Sequence, residues 1–70
     1  MMRASGRNKL RGTVTEVRLD GLLAQIELQV GDNHVVALIT REGAEELDLK
    51  IGDTATALIK ATEVMIVKDN

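Results

Sequence analysis

The stretch Leu22-Leu23-Ala24-Gln25-Ile26-Glu27-Leu28-Gln29-Val30 decides the fold. Leu22, Ala24, Ile26, Leu28 and Val30 share one face at a period of two, and Gln25, Glu27 and Gln29 share the other. That alternation belongs to a strand with one face buried and one face wet. On either side lie Asp20-Gly21 and Gly31-Asp32-Asn33, the residue types that tight hairpin turns demand, and Asp20-Gly21 predicts a type I′ turn. Leu10 to Leu19 then reads as the preceding strand, with Val14 and Val17 out of strict phase; a bulge near Thr15 or Glu16 would absorb the slip. After the second turn, His34 to Thr40 is apolar on both faces, with Val35, Ala37 and Ile39 on one and Val36 and Leu38 on the other. A small barrel has a single interior, so the second face is expected to meet another subunit.

The pattern changes at Arg41 to Leu47. Thr40 is placed to cap a short helix, Glu42 falls in its first turn, and Ala44 and Leu47 share a side. Gly43 limits it to one or two turns. Ile51-Gly52-Asp53 makes the next turn, and two further strands follow, Thr54 to Lys60 and Glu63 to Lys68, separated by the irregular Lys60-Ala61-Thr62. Five strands, with a short helix between the third and fourth, predict an all-β, OB-like five-stranded Greek-key barrel. Residues 1–4 read as a lead-in and 5–70 as one domain.

Composition narrows what such a barrel can do. A 70-residue chain buries only about 60% of the surface its unfolded form exposes. Small folds compensate with disulfides, a structural metal or association. The chain has no Cys and a single histidine, His34, which removes disulfides and Cys- or His-rich metal cages and leaves association. A formal charge of −2 offers no broad positive field for nucleic acid or an anionic membrane. Phe, Tyr and Trp are all absent, so there is no stacking platform for single-stranded bases. No apolar run is long enough to span a bilayer, and the start does not lead into a signal peptide, so the expected location is cytoplasmic. Nucleophilic catalysis would want Ser or Cys beside a base, which this composition does not offer; no catalytic residue is expected.

Two segments could carry chemistry. Every polar side chain of Ser5-Gly6-Arg7-Asn8-Lys9 can donate a hydrogen bond and none is a carboxylate, and Gly6 lets backbone N–H groups approach a ligand. Lys60-Ala61-Thr62 interrupts the strand pattern, which frees backbone N–H groups from a ladder and adds two side-chain donors. Together they could make an oxyanion site. Taken alone, the first reads as a solvated lead-in and the second as a turn. His34 reads as a solvated or interface residue, and Glu42, Glu45, Glu46 and Asp48 as a solvated acidic face rather than a metal site.

The order of these motifs resembles a known family. Ser5-Gly6-Arg7-Asn8, then Lys9-Leu10, is similar to the Ser-Ala/Gly-Arg-Asn opening of the molybdate-binding Mop (molbindin) domains, which are TOBE-like OB folds. Ala37-Leu38-Ile39-Thr40 resembles that family's third strand. Leu49-Lys50-Ile51-Gly52-Asp53 and Ala57-Leu58-Ile59-Lys60-Ala61-Thr62-Glu63-Val64 resemble its ending. The resemblance spans residues 5 to 68 and departs from it at Gly6, where many members carry Ala. It implies a protein that holds molybdate, and tungstate too, for storage, buffering or homeostasis. It also implies a homohexamer, a trimer of dimers, with oxyanion sites between subunits and further sites near the threefold axis. Carried over, Ser5, Gly6, Arg7 and Asn8 line one side of a site, and Lys60, Ala61 and Thr62 the other, from a neighbouring subunit. The competing expectations are an OB-type nucleic-acid binder, and an interaction or sensor module of the kind fused to regulators and transporters.

Overall fold

One long strand organises the molecule. In the computed structural model, which describes residues 4–69, β1 (Asn8–Asp20) serves two partners in succession. Met1 to Arg3 of the expected lead-in, and Asn70, lie outside the described residues. The first half of β1 pairs antiparallel with β4 (Thr54–Ile59), from Asn8 opposite Ile59 to Thr13 opposite Thr54. Its second half pairs with β2 (Leu23–Val30), from Thr13 opposite Gln29 to Asp20 opposite Leu23. The expected bulge lies where the partners change, with the register slipping between Val14 and Glu16. There the Val14 N–H donates to the Asp53 carbonyl and the Val14 carbonyl accepts from the Gly52 N–H, both at 2.8 Å. Val14 is also fully buried. A bulge increases twist and bends the strand, and here the bend lets one strand serve two sides of a curled sheet.

β2 pairs with β3 (Asn33–Thr40) in unbroken register, giving the order β3-β2-β1-β4. Ala24, Ile26 and Leu28 face inward and form the core with Val14 and Ala44. Val35, Ala37 and Ile39 pack against that core, whereas Val36 is 56% and Leu38 64% exposed, so the two apolar faces of β3 separate as expected. Leu22 does not belong to the core face. It sits in the hairpin turn, 87% exposed.

That turn is offset by one residue from the sequence reading. Asp20 pairs with Leu23, leaving Gly21-Leu22 as the loop. Gly21 has φ +61° and Leu22 is not in the positive-φ region, which is the type II′ pattern with glycine first rather than type I′. Gly31-Asp32 repeats it between β2 and β3, with Gly31 at φ +58°.

The helix α1 (Arg41–Glu46) joins β3 to β4 with Thr40 as its N-cap, the Gly43 N–H donating to Thr40 Oγ1 at 3.0 Å. Ala44 is buried beneath it, while Leu47, expected beside it, is 67% exposed at the helix C-cap. Among the described residues no helix is long and apolar enough to cross a membrane.

The expected fifth strand, Glu63 to Lys68, is not paired in this chain, and the sheet has four strands. After β4 a 3₁₀ turn (Ala61–Glu63) leads off the ladder. Val64, Met65, Ile66 and Val67 follow without a strand partner, Met65 93% and Ile66 89% exposed. A strand exists only against a neighbour, and this segment finds none in its own chain. The two edges β3 and β4 therefore remain unjoined. Between them lies an open apolar cavity of about 290 Å³, lined by Ile26, Leu28, Val35, Ile39, Leu49 and Ala57 among others.

Candidate oxyanion site

The register of β1 against β4 builds the site. Asn8 opposite Ile59 is the last pair of the ladder, so the residues just before Asn8 and just after Ile59 leave the sheet side by side. Arg7 and Lys60 each adjoin this last pair, and Gly6 lies against Leu58 and Ile59. The sheet thus sets Gly6 and Asn8 against the end of β4, next to the residue that precedes Lys60, within a single chain.

Local contacts fix this juncture. The Asn8 side-chain amide donates to the Ile59 carbonyl at 3.0 Å, tying the two segments together where the main-chain ladder stops. One amide hydrogen of Asn8 is left over for a ligand. Gly6 is buried, and a Cβ there would stand 3.4 Å from Leu58 Cβ and 3.6 Å from the Ile59 nitrogen. Ser5, Arg7, Lys60, Ala61 and Thr62 are exposed.

The 3₁₀ turn adds backbone donors. Within it the Glu63 N–H donates to the Lys60 carbonyl at 2.9 Å, which leaves the N–H groups at the start of the turn, Ala61 and Thr62, without acceptors inside it. Lys60 is the N-cap, in extended conformation and without a side-chain capping bond. None of the ion pairs among the described residues uses Arg7 or Lys60. The juncture therefore presents two cationic ends, two hydroxyls, an amide and main-chain N–H groups. A tetrahedral dianion needs donors on every oxygen, and these groups are of that kind. The large cavity between β3 and β4 does not suit such a guest, because its lining is apolar.

His34 and two carboxylates near α1 are engaged elsewhere. His34 Nε2 lies 2.9 Å from Glu27 Oε1, and Gln25 donates to the other oxygen of the same carboxylate at 2.9 Å. His34 is a half-exposed partner of a neighbouring strand. The carboxylates around α1 do not converge: Glu45 pairs with Arg41 and Asp48 with Lys50.

Comparison with known proteins places this geometry in context. The TOBE domain profile matches residues 4–66. The chain is 47% identical over 66 residues to the molybdenum-pterin-binding protein MopA of Rhodobacter capsulatus, covering 93% of this chain but 25% of MopA. It thus spans about a quarter of that relative's length. A solved molybdate-binding protein from Sporomusa ovata superposes with a TM-score of 0.91 at 43% identity, over 96% of this chain and 100% of that one. The cytoplasmic molybdate-binding protein ModG, solved with molybdate bound, superposes with a TM-score of 0.80 at 36% identity, over 86% of this chain and 43% of ModG.

Proposed function

The chain belongs to the TOBE domain family and, within it, to the molybdate-binding Mop (molbindin) proteins, and on that footing we propose that it binds molybdate, and tungstate, at the juncture of Ser5-Gly6-Arg7-Asn8 with Lys60-Ala61-Thr62. The reading is of an oxyanion-holding protein of the cytoplasm that stores or buffers the anion and is not an enzyme. The observation that supports it is the end of the β1–β4 ladder, where Asn8 is fastened to Ile59, the residue before Lys60.

The donor set explains the choice of anion. Molybdate is a fully deprotonated dianion near neutral pH, so a site built of donors meets it without mismatch. Hydrogen phosphate brings a proton that faces a donor, a mismatch of about 1–3 kcal/mol when buried. Sulfate carries no proton, and against it only size discriminates, since the longer metal–oxygen bonds of molybdate fill a space that sulfate leaves loose.

The site belongs between subunits of a homo-oligomer, a hexamer built as a trimer of dimers. In one chain its side chains are exposed, where water competes with each hydrogen bond; a second copy laid over them excludes that water. The accessible surface supports association, being 5862 Å² against about 4,300 Å² expected for a compact monomer of this mass. Exposed apolar side chains follow one another near the end of the chain, Val64, Met65, Ile66 and Val67. Val64 to Val67 leave the site directly after Thr62, and the cavity between β3 and β4 lacks a strand. The tail of one copy laid in the open side of another would supply the fifth strand and carry Lys60–Thr62 into the interface.

Calorimetric titration tests the reading. Molybdate and tungstate are expected to compete for the same sites, with sulfate and phosphate at least an order of magnitude weaker. The substitution Asn8→Asp, nearly isosteric, sets a carboxylate against both the Ile59 carbonyl and the dianion and is expected to abolish uptake. Equal affinity for phosphate, or full binding by Asn8→Asp, would overturn the assignment.

A further inference from the structure

We propose that Lys9 and Arg11 extend the oxyanion site into a cationic ribbon that captures the dianion from solution and delivers it, without themselves holding the bound ion. The inference rests on the site assignment above and concerns how fast that site fills.

The ribbon follows from the period of β1. Lys9 and Arg11 alternate along β1 and Arg7 immediately precedes it; all three are exposed, while Asn8 and Leu10 between them are half-buried. Alternate residues of a strand stand about 7 Å apart on one face, so Lys9 and Arg11 continue at that spacing the row of cations that begins at Arg7, just before the strand. The row is uncancelled across the sheet. Opposite Lys9 and Arg11 on β4 stand Leu58 and Thr56, both uncharged. On the other flank β2 pairs only from Thr13 onward, and the nearest turn there carries Asp32. The four ion pairs among the described residues use Arg18, His34, Arg41 and Lys50, and none uses Arg7, Lys9, Arg11 or Lys60. The first carboxylate of the chain is Glu16, beyond the bulge and 3.6 Å from Arg18. Glu63, on the same turn as Lys60, is the one carboxylate close in sequence to the site.

The distribution matters because the chain as a whole repels its guest. With a formal charge of −2, a dianion arriving at a random point on the surface meets a net negative field. Cations spaced near the Debye length of about 8 Å at physiological salt add their potentials over that distance, so one face attracts while the rest does not. Such focusing raises association rates and fades as ionic strength rises. At about 10 Å from the anion, Lys9 and Arg11 are expected to raise the rate about threefold at physiological salt and about tenfold at low salt.

The test measures association and dissociation separately in the intact oligomer. The chain lacks aromatic residues, so ¹H–¹⁵N line-shape titration with sodium molybdate is the suitable readout. The double variant Lys9→Gln/Arg11→Gln is compared with wild type and with Arg41→Gln/Lys50→Gln, which removes the same charge from the α1 side. The expected result is a slower association for the ribbon variant only, about tenfold at 10 mM salt and converging with wild type as salt rises, with dissociation unchanged. Equal association rates at 10 mM salt overturn the ribbon, as does a loss that appears only in dissociation, which would make these residues ligands. Failure of the wild-type protein to take up molybdate is a different result and overturns the site itself.

Discussion

Two glycines separate what a position tolerates from what it forbids. At Gly12 a Cβ would lie 2.3 Å from the Gln29 carbonyl oxygen and 2.8 Å from Val30 Cγ2. The nearer obstacle is backbone, so it cannot rotate away as a side-chain tip can, and the end of β2 must shift. Gly12→Ala is therefore expected to destabilise the fold by about 1–3 kcal/mol, read as a lower denaturant midpoint. At Gly6 the nearest atom is 3.4 Å away, ordinary contact for an added methyl. Gly6→Ala should leave the midpoint within about 0.5 kcal/mol and anion uptake unchanged. The sequence made Gly6 conspicuous because it sits among donors, and it offered no sign of Gly12, whose constraint comes from a strand 17 positions away in the chain. The site shows the same division. The donors at Ser5–Asn8 and Lys60–Thr62 were visible as residue types, but that Asn8 fastens the two segments through Ile59 depends on a pairing that composition does not reveal.

At the scale of elements, the features that were legible are those set by neighbouring residues. The bulge followed from the phase slip of Val14 and Val17, and the cap from a Thr standing before Arg41-Glu42. The hairpin was found but its type was not, because Asp20-Gly21 can serve either as the two central residues or as a strand end followed by the first of them, and the pairing of Asp20 with Leu23 chooses the second. The cap allows a clean measurement. Thr40 Oγ1 accepts from the Gly43 N–H, so Thr40→Ala should cost about 1 kcal/mol, and Thr40→Ser, which keeps the oxygen, less than half of that. Both are read from thermal melts. Since α1 is the lid that brings Ala44 into the core, the loss should appear in global unfolding rather than as local fraying alone.

At the scale of the whole molecule, the element least legible was the fifth strand, and the reason is physical. Its residues Val64 to Val67 are a continuous apolar run, yet a strand's partner is not written in its own residues, and within this chain Met65, Ile66 and Val67 are 93%, 89% and 83% exposed. An isolated copy would then combine an apolar tail in water with an apolar cavity open to water, both unfavourable, while two copies that exchange tails remove both at once. Stability should accordingly depend on protomer concentration, with the melting temperature rising as the protein is concentrated and rising again with molybdate, because a ligand seated between subunits favours the assembled state by mass action. The substitution Ile66→Asp puts a charge where burial is expected and leaves the β1–β4 juncture untouched. Sedimentation should show it as a dissociated species of reduced molybdate affinity, with its circular dichroism still that of a β protein. If Ile66→Asp instead assembles and binds as wild type does, the tail is not in the interface; if it dissociates and still binds as tightly, the anion site is complete in a single chain.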